Sequence, residues 1–219
     1  MIPKLSEKIQ RLIVESERLA ESLLGRGDSR PSDIAMKALD NNLKELERAN
    51  LSIGIELRGL WHALRGESEQ AHRCHKIALE KFPGPAGYAH YANSLTELNE
   101  HDASLELALQ AAELAPESPD VLSVLLASAL NAGDFGAFME FFPAYKKLVL
   151  LTRHPDDKYA PVLEKNEAIY EALLAHQKLI RAWEEGEHAE DLDSLFKIAC
   201  ASGTFKDCSY EEGDEHGPS

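Results

Sequence analysis

Residues 59–83, GLWHALRGESEQAHRCHKIALEKFP, and residues 92–116, ANSLTELNEHDASLELALQAAELAP, are two copies of one pattern set 33 positions apart. Gly59, Gly66, Ala71, His75, Ala78 and Pro83 of the first copy fall on Ala92, Asn99, Ser104, Ala108, Ala111 and Pro116 of the second. Small residues stand where two helices must come close. A turn residue follows in mid-unit, and proline closes the second helix because it cannot continue one. A period of 33–34 residues with that content predicts stacked helical hairpins, an all-α solenoid. A third copy can be laid 34 residues further on, through Leu122, Leu125, Ala129 and the turn Gly133-Asp134-Phe135. Its second half departs: Phe138, Phe142 and Tyr145 stand where small residues are expected, and Leu150 replaces the proline.

The stretch 52–150 resembles the tetratricopeptide repeat (TPR) family, as three degenerate units. That pattern has a large apolar residue, a small one four on, a mid-unit glycine, then alanine, an aromatic and a closing proline. Gly59, Gly66, Ala71, Ala78 and Pro83 fit it, and His75 takes the aromatic slot; Ala108 takes that slot in the second unit. HEAT-like helical pairs are the alternative fold. The resemblance implies a module that binds other proteins, with the first helix of each unit lining a groove. By matching position the groove residues are Glu56, Leu60 and Ala63, then Ala89, Asn93 and Thr96, then Ser123, Ala127 and Leu130. Some members clamp a C-terminal carboxylate with Lys, Arg and Asn on this face. Only Asn93 survives of such a set here, and Glu56 would repel the carboxylate. Small and apolar side chains suit an amphipathic helix instead, either a partner's or the chain's own segment 161–183.

Bulk composition fits this organisation. The 219 residues are 44% hydrophobic, enough for a packed core, and no stretch alternates with the period of two that a half-buried strand requires. The net charge of −15 is unevenly placed: residues 1–50 balance, 51–150 carry −6 and 151–219 carry −9. Such a chain repels nucleic-acid phosphates and steers a basic partner. Met1-Ile2-Pro3-Lys4 leads into a charged amphipathic helix without the apolar core of a signal peptide. No segment reaches the ~18 apolar residues that span a bilayer. Cys74, Cys200 and Cys208, an odd number, suit a reducing compartment. The expectation is a cytoplasmic protein with no membrane contact.

Four parts are expected: an N-terminal helical hairpin over 1–50, the repeats over 51–150, C-terminal capping helices over 151–203 and an acidic disordered tail over 204–219. Leu5, Ile9, Leu12, Ser16, Leu19 and Leu23 step by four and three, drawing one apolar stripe on a helix. Met36, Leu39, Leu43 and Leu46 repeat the stepping. The stripe either caps the solenoid or joins two copies as a homodimer through Leu5, Ile9, Leu12, Leu19 and Leu23. Arg26-Gly27-Asp28-Ser29 reads as a turn. Pro161 can open a helix of about 25 residues, some ~37 Å long. Leu192, Leu195, Phe196 and Ala199 mark a last short helix ended by Gly203.

No enzyme signature stands out. His72 and His75 share a helix face, but no further ligand pair stands at metal spacing. His75 fills a packing slot and is expected in the core. No phosphate-binding glycine loop or nucleophile elbow is present, and no cofactor is implied. The aromatic group Phe135, Phe138, Phe141, Phe142 and Tyr145, with Met139, is expected to bury against the C-terminal helices. If it became exposed, Phe138, Phe142 and Tyr145 would form a second binding surface. Pro143 within it is expected to interrupt or kink the helix. The resulting expectation is a non-catalytic adaptor, or an inhibitor or antitoxin-type binder, that holds a helix or basic surface of a partner protein. Two alternatives are an acidic nucleic-acid mimic and a self-assembling structural protein.

Overall fold

The computed structural model describes residues 6–24, 32–49, 51–152 and 159–185. These are helical with short turns, and no strand occurs among the described residues. The chain divides into two compact units, Met1–Leu148 and Val149–Ser219.

In the first unit, α1 (Glu7–Leu23) opens at Ser6, whose hydroxyl accepts from the Ile9 amide at 3.4 Å. Capping of this kind satisfies an amide that the helix itself leaves open. With α2 (Asp33–Arg48) and α3 (Ser52–Ala63), α1 closes over an apolar core of Ala20, Leu23, Leu39, Leu43, Leu46, Leu57 and Leu60. Leu12, Leu19, Met36 and Trp61 pack around it. The stepping of Leu39, Leu43 and Leu46 places all three on one helix face, which explains their complete burial. Arg58 of α3 then clamps α2 from outside the core, reaching Asp40 Oδ1 and Glu47 Oε1 at 2.7 Å each.

Three hairpins follow in the predicted period: α3 with α4 (Ser68–Lys81), α5 (Pro85–Glu97) with α6 (His101–Leu114), and α7 (Pro119–Ala132) leading into α8 (Phe135–Thr152). Their inner turns are superimposable in chemistry. Gly66, Asn99 and Gly133 are all left-handed, with φ of 73°, 61° and 72°. At each, the next residue's amide reaches back five positions: Glu67 to His62 O, Glu100 to Leu95 O and Asp134 to Ala129 O, at 2.8–2.9 Å. This six-to-one bond satisfies the carbonyls that a helix end exposes. The turns between hairpins repeat as well. Phe82 and Ala115, 33 positions apart, have nearly equal backbone angles, and Pro85 and Pro119 each start the next helix.

Contacts within this unit follow one rule. A first helix packs on both helices of the preceding pair, α5 on α4 and α3 and α7 on α6 and α5, and α5 packs on its own partner α6 as well. The N-terminal hairpin obeys it too, since α3 packs on α4, α2 and α1. A polar contact marks the register. Trp61, Ser94 and Ser128 occupy the same position of α3, α5 and α7, and each bonds back to the preceding second helix. Trp61 Nε1 donates to Met36 O at 3.2 Å, Ser94 Oγ meets His75 Nε2 at 2.7 Å, and Ser128 Oγ meets Ser104 Oγ at 2.8 Å.

Of the two expected effects of Pro143, interruption does not occur: the α8 helix continues through it from Phe135 to Thr152. The ring is on the exposed side, while Phe138, Phe142, Tyr145 and Val149 bury along the opposite face. That burial compensates for the one backbone hydrogen bond a proline removes. In the second unit, α9 (Ala160–Glu185) forms where a long helix was expected, and buries Asn166, Ala172, Leu173 and Ala175. The expected short helix at 192–203, the tail, Leu5, the turn at 26–29, Cys200 and Cys208 lie outside the described residues.

Candidate functional site

The nine groove positions do not share one environment. On α3, Leu60 belongs to the core that this helix forms with α1 and α2, and Ala63 is buried. Glu56 is 5% exposed, and its Oε2 accepts from His90 Nδ1 of α5 at 2.6 Å. On α5, Ala89 is buried, Asn93 is half-buried, and Thr96 is half-buried with its hydroxyl 2.8 Å from Ser104 Oγ. On α7, Ser123 and Leu130 are half-buried and Ala127 is exposed. The reachable positions therefore fall on α5 and α7. Phe138, Phe142 and Tyr145 are fully buried, with ring centroids 5.7 and 6.5 Å apart in sequence order. Of the N-terminal stripe, Leu23 is in the core, Leu12 and Leu19 pack against it, and Ile9 is half-buried.

Polar groups gather between α3, α4 and α5, in pairings that sequence reading missed. His75 has no exposed surface. Its ring stacks on Tyr91 with centroids 4.7 Å apart, and its Nε2 meets Ser94 Oγ. Ser94 donates its own hydrogen to His90 O at 3.1 Å, so it accepts from His75, which assigns the proton to Nε2. Nδ1 is then a buried acceptor without a hydrogen-bond partner. Burial, followed by the neighbouring His90 and His72, pushes the His75 pKa down to about 3.

His72, one turn earlier, forms a chain. Its Nδ1 is 2.7 Å from Tyr91 Oη and its Nε2 is 3.1 Å from Glu100 Oε1, which Ser68 Oγ also reaches at 3.3 Å. A carboxylate only accepts, so Nε2–H donates to Glu100 and Nδ1 accepts from the tyrosine. Burial, then Glu100, raises the Tyr91 pKa. At the equivalent turn, His62 Nδ1 and Arg65 Nε bond Glu67 at 2.6 and 2.7 Å, and these bonds hold the Glu67 pKa below its ordinary value.

None of this makes a metal centre: no group of three His, Cys, Asp or Glu among the described residues has ligand geometry. Each histidine of the seam is used to join one helix to another. Repeat spacing could have indicated Ser94 and Ser128, which stand 34 residues apart. Nothing local points to His90 as the partner of Glu56, because that pair joins different hairpins.

Charge is segregated more sharply than a division into thirds suggests. Between Lys81 and Lys146 there is no lysine or arginine, while residues 82–145 contain nine carboxylates. This span includes all of α5, α6 and α7. No helix among the described residues is long and apolar enough to cross a membrane. No family model, curated protein or solved structure matches this chain.

Proposed function

We propose that the chain is a TPR-like, non-catalytic protein–protein interaction module, an adaptor or an inhibitor of the antitoxin type, that holds a helix or basic surface of a partner. The observation that carries this reading is the α5–α7 pair. These two helices pack side by side and leave Asn93, Thr96, Ser123, Ala127 and Leu130 at least partly accessible, within a span that has nine carboxylates and no Lys or Arg. Small side chains let a helix approach closely, and the surrounding charge attracts a cationic partner and disfavours an anionic one. Acting in the cytoplasm as a scaffold is the corresponding cellular role.

The same span supports a second reading, a nucleic-acid mimic whose carboxylates replace phosphates. Salt separates the two. A complex held mainly by charge collapses between low and moderate ionic strength, whereas one seated on α5 and α7 persists. Capture of the partner from native lysate, washed at both strengths, distinguishes them. One stoichiometric partner that survives the wash supports the adaptor, and a set of nucleic-acid-binding proteins that washes off supports the mimic. Self-assembly through the N-terminal stripe is a third reading. It fails if an oligomer survives deletion of residues 1–30.

A further inference from the structure

The seam between α4 and α5 holds three imidazoles in one small volume. His75 sits at its centre, fully buried, with one nitrogen bonded to Ser94 and the other unpartnered. The titratable groups around it are His72 of its own helix, His90 and Tyr91 of α5, Glu56 of α3, and Glu100 in the turn before α6. The two carboxylates are already engaged, Glu56 by His90 and Glu100 by His72. His75 therefore has no carboxylate of its own. The α4–α5 contact is also narrower than the contact within either hairpin.

We propose that this seam is an acid-sensitive latch, in which proton uptake by His75 releases α4 from α5 while the α5–α6 hairpin and α7 stay folded. A second proton would sit on Nδ1 as a buried donor with no acceptor, next to two further imidazoles. The proton is accommodated when the ring reaches water, and that requires α4 to leave α5. The strongly depressed His75 pKa agrees with this direction.

Hydrogen exchange of the full chain between pH 7 and pH 5, corrected for the chemical exchange rate, tests the latch. The expected result is a loss of protection in residues 68–81 approaching tenfold per pH unit below about 6.5, with residues 101–132 more strongly protected than 68–81 at every pH because they open only with the whole unit. His75→Phe, which keeps a ring and removes the titrating nitrogens, is expected to abolish the pH dependence. No loss of protection in 68–81, equal protection of the two segments throughout, or the same loss in His75→Phe overturns the proposal. Should that variant not fold, the His75 ring signals of the unaltered protein decide it. A ring that stays neutral in the folded form at pH 5 while 68–81 loses protection supports the latch, and one that titrates near 6.5 in the folded form overturns it.

Discussion

The His75 imidazole lies in the space that any side chain at Gly59 would need. A Cβ built at Gly59 would meet His75 Cδ2 at 2.6 Å and Cε1 at 2.8 Å. The pair joins α3 to α4 and explains why the first repeat has glycine where the second has Ala92, since the second repeat has the smaller Ala108 in place of His75. Gly59→Ala therefore forces a fully buried ring to move. We expect it to cost about 1–3 kcal/mol, read as a lower urea midpoint. Gly59→Ala combined with His75→Ala should recover part of the loss, a coupling that a double-mutant cycle measures.

Stability should fall on mild acidification. The folded pKa of His75, about 3, lies below its ordinary 6.5, so the native state binds fewer protons than the unfolded chain. Its contribution is complete above about pH 6.5 and is lost as pH falls from there toward 3, at ~1.4 kcal/mol per unit, or roughly 2 kcal/mol by pH 5. Asp40 and Glu67 add a loss at lower pH, since their folded pKa values are lowered, Asp40 by bonds from Lys44 and then Arg58. Urea titrations at pH 7.5, 6 and 5 check the sign. In His75→Phe the slope between 6.5 and 5 should flatten.

The turns make a separate prediction. Asn99 has φ of 61° at the position held by glycine in the other two hairpins. Asn99→Ala should cost about 1 kcal/mol, because alanine lacks the side chain that eases the left-handed conformation. Asn99→Gly should match or slightly exceed the wild type in thermal unfolding. A destabilisation by Gly as large as that by Ala would mean the Asn side chain, not the backbone, matters there.

Legibility followed the distance over which a signal acts. The helices and the turn at Gly66 were readable because each depends on residues within one or two turns of itself, and the burial of His75 because it fills a packing slot of the repeat. The accessibility of the expected groove positions was legible only in part. Matching position assigned Leu60 to an open surface, but α1 and α2 pack on α3 and enclose it, and a 33-residue pattern contains no information about a hairpin outside it. The expected interruption at Pro143 did not occur, for a related reason. The local rule against proline in helices was outweighed by the burial of Phe138, Phe142 and Tyr145 on the opposite face. Glu56–His90 was illegible because its partners are 34 positions apart and neither residue type is distinctive alone.

The buried Ser104 hydroxyl meets Ser128 and Thr96 and donates to Ala92 O at 2.8 Å, linking α5, α6 and α7. Ser104→Ala leaves those groups short of a partner and should cost about 1–2 kcal/mol. Ser104→Cys, close in volume and a weaker hydrogen-bonding group, should cost less than Ser104→Val, which overpacks the site. Chemical denaturation of the three variants gives the order.

The central claim is that α5 and α7 present the surface that holds a partner, and one comparison tests it most directly. Wild type and Asn93→Lys with Leu130→Glu, matched for helical content by circular dichroism, are used to capture partners from native lysate at moderate salt. The account predicts one stoichiometric protein retained by the wild type and lost from the double variant. Equal capture by both, or no protein retained by the wild type, would contradict it.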